Sequence, residues 1–159
     1  MVDCIVCEIV SKTLSANIIY EDQDVICFLD INPISEGHAL VCPKAHISEF
    51  SCMSDALVSK IFCFGKRMAV AFERVQTIDG VSLLQNNGRF NELGHFHLHV
   101  SPRQRGDGFP WKRSGDSFGT TSGLVEIQRS LAEALKEIQT NLRVGQECCR
   151  SKVNQARSW

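Results

Sequence analysis

Three histidines alternate with apolar residues in His95-Phe96-His97-Leu98-His99-Val100, and this run constrains the fold more than any other. In an extended chain, successive side chains point to opposite faces. The imidazoles therefore share one face of a strand, expected over His95–Ser101, while Phe96, Leu98 and Val100 share the other. The second face reads as core. The first is a costly use of a strand unless a metal or a reaction employs it. The chain has five histidines in all. The other two, His38 and His46, both lie in the segment Gly37–His46.

The length of 159 residues suits a single core of ordinary size. We read residues 1–110 as that core and residues 111–159 as a C-terminal extension. A net charge of −1 gives no electrostatic case for nucleic acid or a membrane surface as partner. No run approaches the roughly 20 apolar residues that span a bilayer. The start Met-Val-Asp-Cys-Ile-Val-Cys has neither the basic residues nor the apolar run of a signal peptide. A cytoplasmic protein is therefore expected. Eight cysteines are present. Cys27, Cys42 and Cys63 sit in apolar runs, as buried thiols in a reducing compartment would. Cys4-x-x-Cys7 differs, because its spacing suits a metal. Cys148-Cys149 receives no role.

Ile18–Tyr20 and Val25–Leu29 read as two strands of a hairpin around Glu21–Asp24. His38–Cys42 is a third strand, after a loop marked by Asn32-Pro33 and Glu36-Gly37. Leu57, Ile61, Phe64, Met68, Phe72 and Val75 recur at steps of three and four, which predicts a helix over Ser54–Val75 capped by Ser54. Val81–Gln85 is a strand ending at Asn86-Asn87-Gly88. After Pro102 the composition turns to Gly, Ser and charge, expected as a long loop. A second apolar stripe (Leu124, Ile127, Leu131, Leu135, Ile138, Leu142) predicts a helix over 124–142, followed by a polar tail. This order implies an α+β domain, an antiparallel meander sheet with helices packed on it.

The imidazole row allows two chemistries. Imidazoles at i and i+2 on a strand can share one zinc. Alternatively, one imidazole acts as a nucleophile while its neighbours stabilise charge. Nearby amides (Asn86, Asn87) and Arg103 suit an oxyanion of phosphorus and favour the second. The attacking imidazole has to be neutral, and a neighbour serves better protonated, which predicts an optimum near neutral pH.

Gly94-His-Phe-His-Leu-His-Val-Ser-Pro-Arg103 resembles the signature of the histidine triad family, His-φ-His-φ-His-φ-φ with φ apolar. Phe28-Leu-Asp30-Ile-Asn-Pro33, Gly37–His46 and the opening Cys4-Ile-Val-Cys7-Glu-Ile resemble it too, in order and spacing, across roughly residues 3–110. The resemblance implies a HIT-like α+β fold, a homodimer, and a hydrolase or transferase acting on nucleotides of the AMP type. The dimer surface would be the 54–75 helix and the nearby sheet edge. His97 would be the nucleophile and form a nucleotidyl-histidine intermediate. His99 and His38 would complete the phosphate-side set. Asp30 would hold the ribose hydroxyls and Asn86 the phosphate, with Phe28, Ile31 and Leu40 around the base. The branch opening with Cys-x-x-Cys implies one structural Zn2+ per chain on Cys4, Cys7, His46 and His95.

Four features depart from the family pattern. Asn91 stands where many members carry glutamine, near the leaving group, and Glu92 stands for Ser or Thr. Ser101 replaces a commoner aliphatic residue. The Trp-Pro-Pro-Gly ending of one branch is missing, and Trp111 would cover the pocket or the dimer surface instead. The resemblance favours an adenosine phosphoramidate or a related AMP conjugate as substrate. Dinucleoside polyphosphate hydrolysis or nucleotidyl transfer through the same intermediate is the alternative. A nucleotide-binding module with vestigial activity and a metal-binding triad are the non-enzymatic readings.

Overall fold

The computed structural model describes residues 4–109 and the helix 121–142. Trp111, Cys148, Cys149 and the polar tail lie outside the described residues. The chain divides into two compact units, residues 1–108 and 109–159.

The first unit is built on five antiparallel strands: β1 (Ile18–Glu21), β2 (Val25–Leu29), β3 (Ala39–Pro43), β4 (Gly80–Leu84) and β5 (Leu98–Arg103). Their order in the sheet is β1-β2-β3-β5-β4. The first three form a meander, and the β4–β5 pair returns so that β5 lies against β3. Helix α2 (Asp55–Val75) makes the crossover and lies over β3 and β5. Helix α1 (Ile5–Val10) is too short for a periodic signal, and it was not anticipated from the sequence.

Alternation along the strands sorts the core onto two faces. Val25, Cys27, Ala39, Val41, Leu98 and Val100 pack with Ile61, Phe64, Met68 and Phe72 of α2. Ile26, Phe28, Leu40 and Cys42 pack instead with Val6 and Ile9 of α1. Helix α2 starts where the Ser54 hydroxyl accepts the Leu57 N–H at 3.3 Å. Gly65 lets the helix sit close to the sheet, because a Cβ there would lie 3.1 Å from Leu98 Cδ2. The apolar stripe ends at Phe72. Val75, which the spacing assigns to it, is exposed.

The histidine strand begins three residues later than the pattern suggests, at Leu98 rather than His95. The ladder explains why. Val41 opposes Leu98, so continuing the same register would set Pro43 opposite Phe96. Proline has no N–H for a ladder. The Phe96 N–H donates to the Ile47 carbonyl instead, at 2.6 Å. At its other end β5 runs past Ser101 to Arg103, paired only with β4. Pro102 is tolerated there because pairing with β3 has stopped at Val100.

The second unit contributes helix α3 (Thr121–Leu142). Its described side chains, 124–139, are exposed.

Candidate functional site

His97 and His99 lie on the α1 face of the sheet, opposite the core-forming Phe96, Leu98 and Val100. His99 occupies the centre of the sheet, with Leu40 of β3 on one side and Leu84 of β4 on the other. The His97 and His99 rings meet edge to face with centroids 4.6 Å apart, and the His38 and His99 rings stack at 5.1 Å. The structure thus gathers the three histidines assigned to catalysis into one row.

Backbone groups fix which nitrogens carry hydrogen. His97 Nδ1 lies 2.8 Å from the His95 carbonyl, which only accepts, so Nδ1–H donates and Nε2 keeps a free lone pair. The Ile34 N–H donates to His38 Nδ1 at 3.3 Å. His38 therefore carries its hydrogen on Nε2 and donates it to His99 Nδ1 at 3.0 Å. This leaves His99 with Nε2–H as its own donor. Burial pushes the His99 imidazole down to about 4, helped by His97 and His38 and opposed by Asp30. His38 is also lowered, by burial first, against the pull of Asp30. Asp30 Oδ2 lies 3.4 Å from His38 Nδ1, so this contact is not an ion pair at neutral pH. The neighbour expected to be protonated is thus a neutral donor. An anionic phosphate arriving beside it would favour its charged form.

Asp30, His38 and His99 are close enough to hold a cation. The hydrogen bond argues against one, because His38 Nε2 and His99 Nδ1 face each other across 3.0 Å. That gap fits a proton. Two nitrogens sharing a tetrahedral ion, with bonds of about 2.1 Å to each, would lie about 3.4 Å apart with both lone pairs aimed at the ion rather than at each other.

The other side-chain cluster is different. Cys4, Cys7, His46 and His95 come from α1, the β3–α2 loop and the approach to β5. Cys4 Sγ lies 3.4 Å from His95 Nδ1, Cys7 Sγ 3.3 Å from His46 Nδ1 and 3.7 Å from His95 Nδ1. In a tetrahedral zinc site with bonds of about 2.3 Å to sulfur and 2.0–2.1 Å to nitrogen, the sulfur–nitrogen edges are about 3.6 Å. The residues present therefore fit such an ion. His95 Nε2–H donates to the Pro43 carbonyl at 2.9 Å, which leaves Nδ1 unprotonated and aimed at the cluster. Burial holds this ring neutral, near 4. Burial, together with Cys4, pushes the Cys7 thiol up to about 11, a cost that a bound cation removes by taking the thiolate.

The residues assigned to substrate are placed as follows. Asp30 opens the loop after β2, and its Oδ1 accepts the Asn32 N–H at 2.9 Å. Ile31 is 84% exposed beside it. Phe28 and Leu40 oppose each other across β2 and β3 and are buried under α1. Asn86 is half-buried just beyond β4. The β4–β5 register, continued past Leu84–His99, sets it opposite His97. Asn91 spends its amide Nδ2–H on the Ser48 carbonyl at 2.8 Å, and its Oδ1 is buried without a partner. The orienting Ile34 N–H and Pro43 carbonyl escaped the sequence, because backbone groups leave no residue signature. So did the Ser35–Ser101 hydroxyl bond of 2.8 Å, which ties the His38 loop to β5.

The HIT domain family model matches residues 11–106. An uncharacterised HIT-like protein of Methanocaldococcus jannaschii is 38% identical over 138 residues, 86% of this chain and 98% of that one. The adenosine 5′-monophosphoramidase of Saccharomyces cerevisiae is 33% identical over 103 residues, 64% of this chain and 63% of that one. The crystal structure of a zinc-bound histidine triad family protein from Mycobacterium smegmatis has a TM-score of 0.65 at 36% identity, covering 72% of this chain and 84% of that one.

Proposed function

This chain belongs to the HIT domain family of nucleotide-hydrolysing and nucleotide-binding proteins, and on that premise we propose that it hydrolyses adenosine phosphoramidates or related AMP conjugates through a nucleotidyl-His97 intermediate. Its antiparallel α+β sheet is the HIT fold. The observation that carries the proposal is the lock on His97: Nδ1–H is committed to the His95 carbonyl at 2.8 Å, so Nε2 is the available nucleophile. Nε2 forms a bond to the α-phosphorus as the bond to the leaving group breaks. The leaving amine takes up a proton and departs. Water then attacks the phosphorus and releases to solvent the proton that balances the one the amine took from it, the bond to His97 breaks, and AMP and free imidazole result. His99 Nε2–H donates to a phosphate oxygen, and His38 holds His99 in the required tautomer.

Asp30 would accept both ribose hydroxyls, and Asn86 would donate to the phosphate beside His97. Ile31 would cover the base against Phe28 and Leu40, with Asn91 lying toward the leaving group. Cys4, Cys7, His46 and His95 would hold one structural zinc, a closed ligand set whose work is to pin α1 against the approach to β5. The active species would be a homodimer built on α2 and the β4 edge.

The test is intact-protein mass spectrometry after a brief quench with an adenosine 5′-phosphoramidate ester. Wild type should carry a transient adenylyl adduct. His97→Ala should carry none, and its turnover should fall at least about 10³-fold. AMP release by wild type without any adduct at His97 would refute the covalent route. Comparing products from phosphoramidate and dinucleoside polyphosphate substrates separates hydrolysis of one from the other, and an added nucleophile reports transfer.

A further inference from the structure

His38 stands just outside the β3–β5 ladder, which stops at the Ala39–Val100 pair. Continuing that register sets Ser101 opposite His38. Ser101 is buried, and its hydroxyl lies 2.8 Å from the hydroxyl of Ser35. Ser35 opens a tight turn. Its carbonyl accepts the His38 N–H at 3.0 Å, and Gly37 takes the left-handed φ of +91°. The residue before it, Ile34, supplies the N–H that His38 Nδ1 accepts. Ile31 and Ile34 are both exposed, so the tip of this loop has little packing of its own. Its bonds from the Asp30 N–H to the His38 carbonyl and from the Asn32 N–H to Asp30 Oδ1 stay within the β2–β3 connection. The Ser35–Ser101 bond ties the loop to β5 instead.

Two hydrogen-bond states compete at His38. Its Nδ1 lies 3.3 Å from the Ile34 nitrogen and 3.4 Å from Asp30 Oδ2. In the first state the Ile34 N–H donates to Nδ1. His38 then donates Nε2–H to His99 Nδ1, and His99 presents Nε2–H. In the second state His38 Nδ1–H donates to the Asp30 carboxylate. His38 Nε2 then accepts, His99 donates from Nδ1, and His99 Nε2 keeps only a lone pair, which repels a phosphate oxygen. The exchange moves one hydrogen on each ring and leaves both rings neutral. A bond to a carboxylate is roughly twice as strong as one between neutral groups. Bond strength alone therefore favours the second state, and the placement of the Ile34 N–H has to favour the first.

We propose that the Ser35–Ser101 hydroxyl pair is a latch that holds the Ile34 N–H on His38 Nδ1 and so fixes the tautomers of His38 and His99. Both serines are positioning residues, acting through His38. The effect on turnover rests on the reaction proposed above, whereas the effect on the two rings does not. An aliphatic residue at 101 could not close this latch.

NMR of the full chain labelled with 15N-histidine tests it near pH 7.5, where burial keeps both rings neutral. Wild type should carry hydrogen on Nε2 in His38 and in His99. Ser35→Ala and Ser101→Ala should each move it to Nδ1 in both rings, in at least about half of the molecules. The double variant should add nothing to either single one. Ser35→Thr, which keeps the hydroxyl, should retain the wild-type pattern. With an adenosine 5′-phosphoramidate ester, kcat should fall at least about tenfold in the alanine variants, toward the roughly 10²–10³ lost with one oxyanion donor, and recover in Ser35→Thr. Ser35 is half-buried, so its alanine variant reports even where Ser101→Ala fails to fold. Hydrogen that stays on Nε2 of both rings in Ser35→Ala overturns the proposal. So does Nδ1–H on either ring in wild type. Shifted tautomers with kcat unchanged, or with no turnover of the ester by any of the proteins, leave the latch standing and count against the reaction proposed above.

Discussion

Replacing Cys4, a proposed metal ligand, should unfold the first unit at a much lower temperature. The magnitude follows from the chain that the site closes. Cys4 and His95 are 91 residues apart, and Cys7 and His46 are 39 apart. A bound zinc would join these segments as a cross-link does, and its absence returns the loop entropy to the unfolded chain. For a loop of 91 residues that entropy is worth about 4–5 kcal/mol at 25 °C on the chain-entropy scale. Cys4→Ser changes little else, because the side chain is nearly isosteric and sits buried among Val6, Ile9 and Cys42. For a unit of this size each kcal/mol is worth roughly 4–8 °C in Tm. A fall of about 16–40 °C is therefore expected by differential scanning fluorimetry. EDTA should bring wild type to a similar midpoint and leave the variant unchanged. Zinc content by atomic emission should drop from one per chain to none in Cys4→Ser and stay at one in His97→Ala. If Cys4→Ser keeps both its zinc and its Tm within 3 °C, the tetrahedral assignment is wrong.

Two further outcomes concern the histidine row. His99 titrates near 4 in the folded protein against an ordinary histidine value of about 6.5. Between those values the unfolded chain binds more protons, so stability rises with pH, is complete above about 6.5 and is lost as pH falls toward 4. The His99 share of the loss is up to about 3 kcal/mol, and urea midpoints at pH 6.5, 5.5 and 4.5 should show a loss in His99→Gln smaller by that share, the part due to buried His95 and His38 remaining in both proteins. Gly37→Ala should destabilise by about 1–2 kcal/mol, because φ there is +91° and the new Cβ would lie 3.0 Å from Gln76 Nε2 and 3.1 Å from the Phe72 ring. Since Gly37 precedes His38, kcat should fall while Cys4 and its partners keep their zinc. Equal stability and unchanged kcat would show that the loop absorbs the strain.

Most of the sheet and the long helix were legible because they announce themselves by period. The continuous apolar run Val25–Leu29 reports a strand buried on both faces, and the three- and four-residue steps of Leu57–Phe72 report a helix with one buried face. The start of β5 was not legible, because it depends on which residue of a distant strand comes opposite. Pro43 ends the ladder from across the sheet, and no pattern within 95–101 records it. Helix α1 was missed for its brevity, since six residues show less than two turns of any stripe. In the candidate site, the side chains were legible and their protonation was not. His97 and His99 stand out by their alternation and His38 only through the family resemblance, yet the nitrogen that carries hydrogen in each is chosen by Ile34 N–H and the His95 carbonyl. The burial that holds His99 neutral comes from the packing of both sheet neighbours.

His95 shows why the two clusters belong to one design. Its ring points Nδ1 at Cys4 and Cys7 and donates Nε2–H to Pro43. Its carbonyl, one bond further along the chain, accepts from His97 Nδ1. The backbone at 95–97 is outside the β-ladder, so strand pairing does not hold that carbonyl in place. The ring of His95 and the Phe96 N–H to Ile47 are what hold it. A structural ion on His95 would therefore also fix the tautomer of His97, the proposed nucleophile, with no contact to substrate. Tetrahedral geometry at the ion tolerates little rotation of the ring. The 2.8 Å bond that keeps the His97 lone pair on Nε2 would inherit that stiffness, which a free loop ahead of a strand could not supply.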